Sequence, residues 1–138
     1  MGKFSNNLSE RKTLYKEMIR LFEEKKDNVI SIRKIYLRDQ NFEGVTNVSR
    51  SVLSFIKKRT SRPKLSTVIT FCVSLMLDVI EAYDLIELAG YKLSQDYEVD
   101  RAYAELLQYH NYGDIDACNK HLEILGIDRG YFLGIKSR

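Results

Sequence analysis

The chain has one proline, no tryptophan, two cysteines and two histidines. Each scarcity removes a class of answers. One proline and seven glycines leave little punctuation, and no internal repeat or low-complexity tract interrupts the sequence. Cys72 and Cys118 make one pair at most and fit neither a Cys-x-x-Cys nor a zinc-finger spacing, so a reducing, cytoplasmic compartment is expected. Cys118 and His121 lie three positions apart with His110 nearby, but zinc takes three or four ligands and this set matches no recognised spacing. Structural roles, and no metal, are the expectation. The opening "MGKFSNNLSERK" lacks an apolar core of signal-peptide length, and the longest uncharged run, residues 65–77, is too short to span a bilayer. No membrane partner is expected.

Catalytic chemistry is also missing. There is no glycine-rich phosphate loop and no nucleophile motif. Asp78, Glu81, Asp84 and Glu87 recur at three-residue intervals, but no histidine stands beside them to share acid–base work. A solvated helix face explains that stripe, since neighbouring carboxylates repel unless they meet water or cations. The expectation is a non-enzyme without a cofactor.

What the sequence has is apolar content and unevenly placed charge. With 138 residues and 44% hydrophobic content, the chain can fold without staples. Its net charge of +3 conceals a split: residues 1–64 carry 16 Lys/Arg against 7 Asp/Glu, a net of +9, while residues 65–138 carry 6 against 12, a net of −6. One half therefore suits a polyanion. The densest cationic stretch lies in "SVLSFIKKRTSRPKLSTVITFC", where Lys57, Lys58, Arg59, Arg62 and Lys64 follow Arg50 and surround the only proline, Pro63.

Apolar spacing is helical nearly throughout, which predicts an all-α protein. Leu14, Met18, Leu21 and Phe22 mark a helix over about residues 9–26, and Ile30, Ile32, Ile35, Tyr36 and Leu37 mark a shorter one. After the loop chemistry of "RDQNFEGVTN", Ser49 can cap a helix that buries Val48, Val52, Leu53 and Ile56. Pro63 prevents that helix from continuing, because it removes a backbone donor and biases Arg62 away from helical angles. The next helix starts just after it, and its wide stripe of Leu65, Val68, Phe71, Cys72 and Leu75 reads as the central buried helix. Asp78 caps a further helix, with Val79, Ala82, Tyr83, Ile86 and Leu88 along it and Gly90 as its stop. Two more are expected near 96–110 and 114–125, the latter between Asp114 and Gly126. The tail "DRGYFLGIKSR" is unassigned; residues 131–135 are the only stretch with strand-like alternation.

The run "NVSRSVLSFIKKRTSRPKLSTVITFCVSLML" resembles the helix-turn-helix of lambda-repressor/Cro-like (XRE-type) DNA-binding regulators. Asn47-Val48-Ser49 matches the turn and helix start, Leu53-Ser54-Phe55-Ile56 the core of the recognition helix, and Arg62-Pro63-Lys64 the basic loop. Leu65, Val68, Phe71, Cys72 and Leu75 match the following helix. A register with Gly44-Val45-Thr46 as the turn is the alternative, and it leaves Pro63 three residues out of phase. Farther on, "LAGYKLSQDYEVDRAYAELL" is similar to a bacterial subset of such regulators, so the resemblance covers about residues 47–127. Two features depart from the pattern: about nine additional residues precede Val48, and Arg59 stands where the family usually has glycine.

The resemblance implies a lambda-repressor-like helix-turn-helix domain over 1–92 with a C-terminal helical extension over 93–138 for dimerisation. It also implies a transcriptional regulator, a repressor in the plainest mechanism, that binds double-stranded DNA as a homodimer. The chemistry of the residues agrees. A recognition helix needs a buried face for orientation and short polar or cationic groups toward base edges, which Ser49, Arg50, Ser51, Ser54 and Lys57 supply. Lys58, Arg59, Thr60, Ser61, Arg62 and Lys64 can follow a phosphate backbone, and Arg33 and Lys34 can hold the neighbouring strand. Tyr91, Tyr97, Tyr103, Tyr109, Tyr112 and Tyr131 concentrate in the acidic half, where they suit either a core edge or a dimer surface. Within the tail, "GYFLGI" is the first candidate for a docked or exchanged arm. The competing reading is a protein-interaction module or inhibitor of phage or defence type, recognised by tight binding to an acidic protein without preference for DNA.

Overall fold

The computed structural model describes residues 13, 14, 16–21, 23, 24, 63–109 and 115–134. Among them every regular element is helical and there is no strand. Helical residues within 13–24 form α1, followed by α2 (Leu65–Ser74), α3 (Val79–Leu88), α4 (Glu98–Tyr109), α5 (Ile115–Ile124) and a 3-10 turn at Arg129–Tyr131. The helices expected near 30–37 and after Ser49 lie outside the described residues.

α2 is the hub. It packs against α3, α4 and α5, and α3 also packs against α4. Every residue from Val68 to Ser74 is buried, so the helix is enclosed on all sides over its second half. Leu14, Met18 and Leu21 of α1 join the same core at helical spacing, together with Leu85 and Ile86, Tyr103 and Leu106, and Cys118 and Leu122. The described residues thus share one apolar cluster that runs across position 92.

Two polar side chains are enclosed in that cluster, and both satisfy themselves along α2. Thr70 Oγ1 donates to the Ser66 carbonyl at 2.7 Å, and Ser74 Oγ donates to the Thr70 carbonyl at 2.5 Å. Burial also pushes the Cys72 thiol well above its ordinary range, and its Sγ lies 3.8 Å from the Ala82 carbonyl. Cys72 and Cys118 are both free and buried.

The helix boundaries follow from local chemistry. α2 closes through Met76 N–H on the Val73 carbonyl and Leu77 N–H on the Cys72 carbonyl, with Met76 held at a φ of 54°. α3 opens on a reciprocal capping box: Glu81 N–H donates to Asp78 Oδ1 at 2.8 Å and Asp78 N–H donates to Glu81 Oε1 at 3.1 Å. Gly90, at a φ of 91°, ends it, and Gly126, at 81°, ends α5.

Two details go beyond what the spacing specified. The inner face of α3 is Ala82, Leu85 and Ile86, whereas Val79 and Tyr83 are 43% and 39% exposed. The face of this helix that meets the core begins at Ala82, while Val79 and Ile80 at its first two positions lie outside. Residues 131–134 form no strand; the tail makes the 3-10 turn, capped by Asp128 Oδ1 on Gly130 N–H at 2.9 Å, and then lies extended against the helices.

Candidate nucleic-acid interface

Of the residues expected to contact DNA, Lys64 lies within the described structure. Arg33, Lys34, Ser49, Arg50, Ser51, Ser54, Lys57, Lys58, Arg59, Thr60, Ser61 and Arg62 lie outside it, so what can be built is the C-terminal root of the basic stretch.

That root is held by local backbone chemistry and by one long-range hydrogen bond. Lys64 is the N-cap of α2, in an extended conformation with φ −64° and ψ 150°. Its carbonyl accepts from Thr67 N–H at 3.0 Å and Val68 N–H at 3.2 Å, while its side chain is exposed. The first turn of α2 contains no acidic residue, so the positive end of the helix dipole and the Lys64 ammonium reinforce one another. Pro63 is buried, and its carbonyl accepts the Tyr91 hydroxyl at 2.7 Å. Tyr91 is itself anchored: its N–H donates to the Ile86 carbonyl at 3.0 Å as part of the closing turn of α3. A side chain 28 residues downstream thereby ties the end of the basic stretch to the helical core.

In the sequence Tyr91 stood among the tyrosines of the acidic half and in the "LAGY" of the resemblance, with no partner assigned to it. The signal available was its place directly after Gly90, since a helix stop fixes the backbone of the next residue.

A cation of α1 is differently engaged. Arg20 of α1 bonds Glu17 at 3.0 Å and 2.6 Å and Glu24 at 2.5 Å on an exposed helix face. The Arg20 guanidinium holds the Glu17 carboxyl below its ordinary range. Lys64 makes no such ion pair among the described residues, which leaves its charge directed to solvent.

The remaining constellations resolve into structure. Asp78 and Glu81 of the carboxylate stripe are occupied by the capping box, and Asp84 and Glu87 are exposed. His121 Nε2 meets Glu105 Oε2 at 2.5 Å across α5 and α4, and Cys118 is fully buried. Among the described residues no group of three or more His, Cys, Asp or Glu side chains is placed to hold a metal, and no helix is long and apolar enough to cross a membrane. Comparison of the chain with protein-family models, curated proteins and solved structures gives no significant match.

Proposed function

We propose that the protein is a non-enzymatic, sequence-specific DNA-binding regulator that represses by occupying a promoter as a homodimer. The observation that carries this reading is the junction at residues 57–64, where four cations lead into a buried proline that is tied to the helical core and a fifth, Lys64, follows it. A cationic segment anchored to the core at Pro63 suits a phosphate backbone, because its charges match the polyanion while the anchor sets where they begin. The helix from about Ser49 to Lys58 is the proposed reader of base edges, with Arg50 and Ser51 as its specificity residues. The resemblance of residues 47–75 to the lambda-repressor/Cro-like pattern supports the same assignment.

A second reading has its own observation. Val79, Ile80 and Tyr83 present apolar surface on α3, with Ile80 74% exposed, and such surface suits protein contact. On that reading the chain binds another protein through this face and has no DNA preference.

Selection from a randomised duplex library, at low and near-physiological salt, tests the two. Retention of an enriched inverted repeat is the expected result, and Arg50→Ala or Ser51→Ala should change the enriched sequence. Absence of binding at both salt concentrations would overturn the DNA reading in favour of the protein-interaction one.

A further inference from the structure

One long face of α3 is turned away from the core. Ala82, Leu85 and Ile86 are buried, while Ile80, Tyr83, Asp84 and Glu87 are exposed and follow one another at i, i+3, i+4 and i+7. That spacing places the four on one stripe, opposite the buried three, with Val79 at its edge beside Tyr83. The stripe is graded in chemistry. Its N-terminal end offers two aliphatic side chains and a tyrosine ring, and its C-terminal end offers two carboxylates.

Each end is unfavourable in the chain alone. Val79, Ile80 and Tyr83 leave apolar area in water. Asp84 and Glu87, three positions apart on a helix, repel one another. Glu87 also stands in the last turn, where the helix dipole favours cations, and that turn has no basic residue. Neither carboxylate makes an ion pair among the described residues. Asp78 and Glu81, by contrast, hold the start of the helix through the capping box.

Both ends are relieved together by a segment with apolar side chains on one turn and cations a turn or so further on. An amphipathic helix laid along α3 has that pattern, because its own i, i+3, i+4 spacing matches the stripe. Nucleic acid and anionic membrane are repelled by the same carboxylates. A neutral helix would cover Asp84 and Glu87 without pairing them, which costs more than it returns.

We propose that the outer face of α3 docks a cationic amphipathic helix of another protein, with Val79, Ile80 and Tyr83 taking its apolar side chains and Asp84 and Glu87 pairing with its Lys or Arg. The inference rests on the protein-contact reading of this face and is independent of DNA binding.

Selection from a displayed library of random peptides, each long enough for about four helical turns, tests it on the full-length protein at near-physiological salt. The parent should enrich a family with apolar residues at helical spacing and Lys or Arg toward one end. Ile80→Ala, which leaves the charge unchanged and suits a helix, should weaken binding of that family at least about tenfold by fluorescence anisotropy. The double variant Asp84→Lys with Glu87→Lys should enrich a different family, with Asp or Glu in place of the cations. If the parent's family lacks cations, or the charge-reversed variant enriches it equally, the cationic partner is wrong and the protein-contact reading survives. If that family binds Ile80→Ala as tightly as the parent, or if no family is enriched, the face is not a docking site and both fall. Self-association of the parent that Ile80→Ala abolishes would assign the face to a second copy and overturn the proposal.

Discussion

Tyr91 shows how much one hydroxyl can organise. Its bond to the Pro63 carbonyl joins the stop of α3 to the start of α2, at the point where the cationic stretch reaches the core. Tyr91→Phe removes that donor alone and should lower stability by about 1 kcal/mol in urea unfolding. In DNA binding the variant should lose affinity while keeping the parent's salt slope, because no cation has been removed and orientation alone has been loosened. Unchanged stability and unchanged affinity together would show that the bond positions nothing. Residues of this kind are hard to read from sequence. The periodicity that makes Phe71 and Cys72 core residues is local, whereas the partner of Tyr91 lies 28 positions away and that of Thr70, the Gly134 amide, 64 positions away. Thr70 and Ser74 did carry a signal: hydroxyls enclosed in an apolar stripe require partners, although the stripe cannot say which.

Elements were more legible than contacts. Pro63 before α2, Asp78 before α3, and Gly90 and Gly126 after α3 and α5 are boundary residues whose chemistry acts within one turn, and each stands at a helix end in the structure. The outward face of α3 was not legible, because apolar residues stand on both sides of it: Val79, Ile80 and Tyr83 are exposed while Ala82, Leu85 and Ile86 are buried. Nor was the turn between α2 and α3, where Met76 adopts a left-handed conformation that sequence assigns to glycine or asparagine. Asp78→Ala removes half of the capping box and leaves the Glu81 N–H without its carboxylate acceptor. It should cost about 1 kcal/mol of stability, read as a shift in the unfolding midpoint at constant slope. A midpoint identical to the parent's would mean that the cap contributes nothing beyond what water supplies.

For the whole molecule, the governing features are one shared core and two oppositely charged halves. The core draws on α1 through α5 and on the C-terminal tail, so the acidic C-terminal half supplies the frame on which the basic stretch is anchored. The charge split of +9 and −6 was fully legible, since it needs only counting. The candidate site was legible as residue types, and the structure adds its root: Lys64 exposed at the head of α2 and Pro63 fastened behind it. The central claim is that this root directs cations onto a phosphate backbone. The most direct test is the salt dependence of duplex binding, measured by fluorescence anisotropy, for the parent and for a chain carrying Arg62→Ala and Lys64→Ala. The double variant should bind every sequence more weakly, and the slope of log affinity against log salt should flatten by about 2, one for each lost phosphate contact. Equal affinity at every salt concentration, with an unchanged slope, would contradict the account.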